Sequence, residues 1–344
     1  MTSYTNSQIN RAGLALKLNE ADENAQHILS EWRAKHAYPI NTFQATLRVK
    51  VKKLRLSNFL IAQRLKRMPT IIDKLKRYPS MKLAQMQDIG GLRIVVENVS
   101  EVNKVVDSYE NKSIFSRFQH KLIRKKDYIY NPRSEDGYRS IHLIYSYKNR
   151  VAKNYEDLLL ELQIRTKLQH NWATAVETMG IYLNQPLKSR IGKQEWLDFF
   201  ALVSSAFAHI ENLPLVPRFS KYDKNKTFKL VEKAEKELQV LEKLNYFAKA
   251  AQVLSKNKQK GFYHLIILSI ENKTISIQSF AKDDFESAKT EYAKAEKRLI
   301  NGEKIDPVLV AVGRINQLKR AYPNFFLDTT EFINKVRNII GSDN

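Results

Sequence analysis

Two carboxylates stand where a strand could present them to a substrate: Glu161 in "DLLLELQIRT" (157–166) and Asp88 in "QDIGGLRIVV" (87–96). In the first stretch, Leu158, Leu159, Leu160, Leu162 and Ile164 argue for a short core strand. Strand side chains alternate faces, so Glu161, Gln163 and Arg165 must share one of them. That face is polar either because it is solvated, as on a half-buried edge strand, or because it lines a site. Asp88 stands just ahead of a hydrophobic strand in which Gly90 and Gly91 permit close backbone approach. An acid at a strand mouth can hold a hydrated divalent cation, or simply cap a turn.

A third stretch, "KDYIYNPRSEDGYRSIH" (126–142), reads as a polar loop leading into a strand that carries Arg139 and His142. Tyr138, beside Gly137 and flanked by Arg133 and Arg139, suits stacking on a nucleobase with charge left for its phosphates, or plain packing in a turn. A fourth is basic. From Arg48 to Arg77 the chain carries Arg48, Lys50, Lys52, Lys53, Arg55, Arg64, Lys66, Arg67, Lys74, Lys76 and Arg77, with Asp73 as its lone acid. Such a run is either a solvated face or a phosphate-binding one, and the near absence of counter-charge favours phosphate.

The whole composition leans the same way. With 58 Lys and Arg against 36 Asp and Glu, the net charge of +22 makes a field that recruits polyanions such as RNA, DNA, nucleotides or acidic lipid. The 344 residues allow two domains with real cores, and the absence of cysteine excludes disulfides, thiolate nucleophiles and thiolate zinc sites. No apolar run reaches signal-peptide or membrane-span length, so a soluble, cytoplasmic protein is expected.

These residues need elements to hold them. Helices are predicted over 5–35, 42–66, about 100–111, 166–184 and 192–212, with strands at "GGLRIVVENV", "YRSIHLIYSYK" and "LLLELQIRT", an α/β mixture. Residues 213–227, with Pro214, Pro217 and a charged polar tail, read as a linker. Beyond it come a charged helix to about 257, a hairpin turning at 271–273, a helix near 283–300, the strand "PVLVAV", a short helix "RINQLKRA", and a last helix from about 329. This block is a small ββαβα unit without a metal-ligand set.

The segments "RLKRMPTIIDKLKR", "QDIGGLRIVV", "DYIYNPRSEDGYRSIH" and "LELQIRTKLQHNWATAVE" together resemble the synthetase domain of the RelA/SpoT alarmone synthetases over about residues 45–185. The resemblance implies an α+β fold: a mixed sheet with flanking helices, like nucleotidyltransferases. It implies transfer of the β,γ-pyrophosphate of ATP to a ribose 3′-hydroxyl. By it, Arg64, Lys66, Lys74 and Arg77 match the ATP-phosphate region, Asp88 a Mg2+ ligand, and Glu161 the acid beside the attacking hydroxyl, as base or second metal ligand. Tyr138, Arg139, His142, Gln163 and Arg165 fall to the acceptor. No His-Asp hydrolase dyad appears, since none of the seven histidines is followed by Asp.

"LQHNWATAVETMG" and the extra C-terminal block look more like the toxic small alarmone synthetases, which pyrophosphorylate the 3′ end of tRNA, and within them the fused toxin–antitoxin CapRel type. On that resemblance residues 1–212 are the toxin, 213–227 a linker and 228–344 an antitoxin resembling a zinc finger that has lost its metal. Lys50, Lys52 and Lys53 would then touch tRNA, and Tyr322 and Phe325 of "AYPNFF" would block the ATP pocket until a trigger, such as a phage protein, binds the block. Neither DNA nor a membrane is an expected partner. Two departures stand out: an acidic pair, Glu135 and Asp136, with one extra residue between Pro132 and Gly137, and Tyr322-Pro323-Asn324-Phe325 where the type has a YxxY motif. Two other readings are a synthetase of free guanosine alarmones from GDP or GTP with a C-terminal sensor, and an inactive RNA-binding adaptor. Asp88 and Glu161 argue against the adaptor.

Overall fold

The computed structural model describes residues 4–20, 23–56, 58–110, 119–183, 185–245, 262–269, 272, 274–281, 283–311 and 329–341. Five strands, β1 (Leu60–Leu65), β2 (Gly90–Val96), β3 (Lys121–Asp127), β4 (Ile141–Ser146) and β5 (Leu159–Thr166), form a mixed sheet in the order β1-β2-β5-β4-β3. Only β2 and β5 run parallel; the outer pairs are antiparallel. Register sorts the two faces. Leu92, Leu162 and Leu143 lie in one row, and with Ile94, Leu160 and Ile164 they join one core with helices α3 (Ala37–Lys53) and α5 (Val99–Glu110). Burying each such side chain is worth roughly 1.5–3 kcal/mol, which pins the register, because a one-residue slip would carry the whole set to the other face.

The helices expected over 5–35 are two, α1 (Asn6–Leu18) and α2 (Glu23–Lys35), with α1 ending at a left-handed Asn19. The helix expected over 42–66 ends at Lys53. Arg55, at φ 54°, turns the chain, and the remainder of that stretch is the strand β1, followed by α4 (Met68–Arg77).

After β5, helices α6 (Lys167–Tyr182), α7 (Gln194–Glu211) and α8 (Lys224–Leu238) build a second core around Trp172, Phe199, Phe200, Phe207 and Phe228. The expected linker is packed rather than loose. Leu213 and Val216 are buried, and the Pro214 carbonyl accepts from Arg139 at 2.7 Å. The C-terminal strands β6 (Tyr263–Ser269), β7 (Thr274–Phe280) and β8 (Ile305–Ala311) make an antiparallel sheet in the order β7-β6-β8, with α9 (Phe285–Ile300) between β7 and β8. The last helix, α10 (Thr330–Ile340), packs through Phe332, Ile333 and Val336 into the α6–α8 core. The short helix "RINQLKRA" falls outside the described residues.

A buried cluster around Glu296 ties the C-terminal sheet unit to the first, with the Lys289–Glu31 pair beside it at 3.8 Å. Arg33 of α2 donates to the Lys66 carbonyl and to Glu296 of α9, each at 2.8 Å, and to the Tyr292 hydroxyl at 3.2 Å. Helix α4 has no side-chain cap of its own. The Met68 N–H, the first of that helix, donates instead to Glu296 at 3.0 Å, as does the Tyr292 hydroxyl at 2.8 Å. A carboxylate 228 residues away thus does the work of an N-cap.

Candidate active site

Across the sheet, Gly91 lies opposite Arg64 on one side and Glu161 on the other; in the next row Arg93 lies between Ala62 and Gln163, and His142 opposite Gln163. Directly opposed residues share a face, so Arg64, Arg93, Glu161, Gln163, His142 and Arg165 all project from the side away from the α3–α5 core. Glu161 is 9 % exposed and Arg165 4 %, so the polar face of β5 is roofed rather than solvated. Gly91 leaves the gap. A Cβ built there would meet nothing nearer than the Arg64 carbonyl oxygen at 3.8 Å, and the pocket over it is lined by Arg64, Asp88, Arg93, Glu161 and Gln163.

Glu161 is held from two sides. His142 Nδ1 lies 2.8 Å from its Oε1, and the Gln163 amide donates to Oε2 at 2.8 Å. The other ring nitrogen of His142 meets the Tyr138 hydroxyl at 2.9 Å, giving a buried chain Tyr138–His142–Glu161. Burial opposes a charged imidazole, but Tyr138 and Glu161 outweigh it and raise His142 to about 9. Burial likewise favours a neutral Glu161, and His142 outweighs that too, holding the carboxyl below its ordinary range while Asp88 pushes the other way. Asp88 is an anion despite its burial, because Lys66 and Lys74 each sit 2.9 Å from it. On α6, Glu177 is lowered to about 2: burial opposes this, and Lys188, Arg64 and Arg67 overcome it.

Most, not all, of the residues expected at the site meet here. Arg64, Lys66, Lys74, Asp88, Glu161, Gln163, His142 and Tyr138 are brought together, with Arg165 behind them against His170. The Tyr138 ring packs by its edge against Tyr128 and His142, and the Arg133 guanidinium stacks 4.4 Å from its centre. Arg77 ends α4 paired with Asp73 at 2.8 Å rather than with either pocket carboxylate. Arg139 does not join the pocket. It lies ahead of β4, and its guanidinium is used up on Ser204 Oγ and the carbonyls of Ile129 and Pro214. Lys50 is also corrected: it is 1 % exposed, donates to the Ser108 carbonyl and lies 4.5 Å over the Tyr109 ring, so it has no surface to offer a polyanion. Lys52 and Lys53 are exposed. Tyr322 and Phe325 lie outside the described residues. Sequence reading passed over Arg93, Glu177 and Lys188. Alternation from Gly91 would have found Arg93, whereas Lys188 carries no local signal.

The residues suit a divalent cation of the magnesium type. Asp88 and Glu161 line one pocket whose glycine floor leaves room, and such an ion is held by one or two carboxylates together with water and substrate phosphates. Among the described residues no group of three or more His, Asp or Glu side chains could cage a metal by itself. No described helix is long and apolar enough to cross a membrane.

Comparison with known proteins bears on the same segment. A family model described as "Region found in RelA / SpoT proteins" matches residues 63–186. The chain is 33% identical over 122 residues to the GTP pyrophosphokinase YjbM of Bacillus subtilis (strain 168), covering 35% of this chain and 55% of that protein. It is 28% identical over 134 residues to GTP pyrophosphokinase YwaC of the same organism, covering 37% of this chain and 60% of that one. The chain thus spans little more than half the length of the curated relatives it matches. Among solved structures, small alarmone synthetase 1 from Bacillus subtilis bound to its product pppGpp aligns with 53% of this chain and 92% of its own, at 20% identity and a TM-score of 0.44. Residues 63–186, the stretch that matches this family model, carry Arg64, Asp88, His142 and Glu161.

Proposed function

We propose that this region is a pyrophosphokinase that moves the β,γ-pyrophosphoryl group of ATP to a ribose 3′-hydroxyl. The observation that carries the reading is Glu161, buried, anionic and aimed by His142 and Gln163 beside a cationic pocket. In the reaction the acceptor O–H gives its proton to Glu161, the oxygen bonds to the β-phosphorus, and the bond from that phosphorus to the oxygen of the α-phosphate breaks, releasing AMP. Arg64, Arg93, Lys66 and Lys74 offset the charge that gathers on the transferred oxygens. Asp88, joined by Glu161 if that residue serves as second metal ligand instead of base, would hold Mg2+, which when bound supplies charge neutralisation on the phosphates. Tyr138 and His142 stand where an acceptor base and ribose would enter.

For the acceptor we favour the 3′ end of tRNA, because Lys52 and Lys53 are exposed on the last turn of α3 amid a chain of net charge +22, and an extended polyanion gains from such a surface where a free nucleotide does not. The names of the curated relatives support a second reading, GTP or GDP as acceptor. Offering deacylated tRNA, GDP, GTP and ADP in parallel with ATP labelled at the γ-phosphate separates them: label on tRNA alone upholds the first reading, label on a guanosine nucleotide the second.

The C-terminal part is read as a fused antitoxin, a metal-free relative of zinc-finger folds that silences the pocket until a trigger such as a phage protein binds it. The seat of α9 on Arg33 and the first turn of α4, next to Lys66, supports a unit that can act on the phosphate-binding segment. Tyr322→Ala should make the full-length protein toxic in bacteria and the double change with Glu161→Gln harmless. If Tyr322→Ala is benign while the chain cut before residue 228 is toxic, inhibition runs through another surface.

A further inference from the structure

Helix α6 folds back over the polar face of the sheet and then reverses sharply. The Gln185 amide donates to the Gly180 carbonyl at 2.9 Å, and a Cβ on Gly180 would sit 2.8 Å from the Gln185 carbonyl oxygen, so the chain can pass only over a glycine. The turn that follows, Leu187–Ser189, is anchored by a fully buried Leu187, against which Gly192 packs so closely that a Cβ there would lie 2.4 Å from its side chain. This rigid turn aims Lys188 back at α6, where its ammonium lies 2.9 Å from Glu177.

The surroundings of that pair are almost wholly cationic. Arg64, Arg67 and Arg165 act electrostatically on Glu177 or are acted on by it, and Arg64 and Arg93 repel Lys188. Lys66 and Lys74 share Asp88, and His142 faces Glu161, whereas Glu177 acts on Arg67, Arg165 and Lys188 alike. Although the Lys188 side chain is 46 % exposed, the crowding of the cleft and the two arginines bring its pKa down to about 8 against the pull of Glu177. A half-exposed side chain held among like charges, two of them from pocket-lining arginines, is positioned for an anion that arrives from outside.

Building on the pyrophosphokinase reading, we infer that Lys188, two residues beyond the stretch that matches the family model, is a phosphate ligand for the donor triphosphate, and that Glu177 is a positioning residue that holds Lys188 and the arginines in register until the nucleotide takes its place. The bland alternative is an ion pair that only fastens the turn, and the two differ in what is lost when the charge goes. Calorimetric titration with a non-hydrolysable ATP analogue and magnesium should show Lys188→Met binding about 10- to 100-fold more weakly than wild type, the span expected for one charge-assisted contact to phosphate. Lys188→Arg should restore binding to within about threefold, and the melting temperature of Lys188→Met should match wild type. At saturating ATP its kcat should be preserved while KM rises, because the contact exists before and during transfer. Wild-type-like affinity in Lys188→Met, or a loss matched by a lowered melting temperature and not rescued by arginine, overturns the assignment and leaves the donor-site reading standing. Failure of wild type itself to bind the analogue overturns both.

Discussion

Removing the Glu296 carboxylate tests how firmly the C-terminal sheet unit is seated on the first. In the structure that carboxylate is 2 % exposed, pairs with Arg33 at 2.8 Å, and accepts from the Met68 N–H and the Tyr292 hydroxyl. Glu296→Ala leaves the Arg33 guanidinium, itself 5 % exposed, without its counter-ion, a change that costs about 3–5 kcal/mol when a buried pair loses one member. It also strands the first N–H of α4, and an unsatisfied buried donor costs roughly 1–3 kcal/mol, an overlapping rather than additive loss. A total of about 4 kcal/mol is a large share of the 5–15 kcal/mol that holds typical domains together. Glu296→Gln keeps an acceptor for Met68 and gives up only the charge, so it should lose about half as much. Urea unfolding reads the stability, and amide hydrogen exchange at 68–71 reads the cap. The unseated α9 should further raise basal transfer. If Glu296→Ala loses less than about 1 kcal/mol and exchange at α4 is unchanged, the contact does not exist in solution and the coupling between the two units fails with it.

Other outcomes follow from the same geometry. Glu161→Gln and Asp88→Asn should each leave the melting temperature within a few degrees and lower transfer by about 100-fold or more, measured with labelled ATP, because both delete only charge at the reacting groups. Reversing Lys52 and Lys53 to Glu should weaken tRNA modification and lower the slope of log affinity against log salt by about one for each lost phosphate contact, with little effect on any use of GTP. His36 is 1 % exposed and bonded to the Trp32 carbonyl at 2.8 Å, and burial lowers it from 6.5 to about 4. Over that window the unfolded chain takes up a proton that the folded one refuses, so stability is full above pH 6.5 and falls by about 1.4 kcal/mol per unit as pH drops toward 4. Burial lowers His120 over the same window, so in His36→Gln the dependence of urea midpoints on pH should shrink by the His36 share and not vanish.

What could be read from the residues alone was whatever rests on period and local chemistry. Strand alternation put Glu161, Gln163 and Arg165 on one face, a feature that depends only on neighbours in the chain. The close approach read from the two glycines holds at Gly90, where a Cβ would meet the Leu160 side chain at 2.7 Å, and not at Gly91, which leaves open room instead. The strand β1 was hidden because 42–66 is apolar at helical spacing up to Lys53, and only the left-handed Arg55 and the polar turn after it separate strand from helix. The edge strand β3 was hidden for the opposite reason: Lys121 to Lys125 are exposed, so no apolar face announces them. Lys50 looked like the other lysines of its run, since what buries it, the Ser108 carbonyl and the Tyr109 ring, lies 58 residues or more away. Arg139 was assigned to the acceptor by the resemblance, and the partners that hold it elsewhere, Ser204 and Pro214, lie 65 and 75 residues away in the chain.

The central claim is that the pocket around Glu161 transfers a pyrophosphoryl rather than a phosphoryl group, and the nucleotide left behind decides it. With ATP labelled at the γ-phosphate and an acceptor that takes the label, chromatography should show AMP formed one-to-one with labelled acceptor, no ADP, and both products lost together in Glu161→Gln. ADP accumulating in step with the label, or AMP and label persisting in Glu161→Gln, would contradict it.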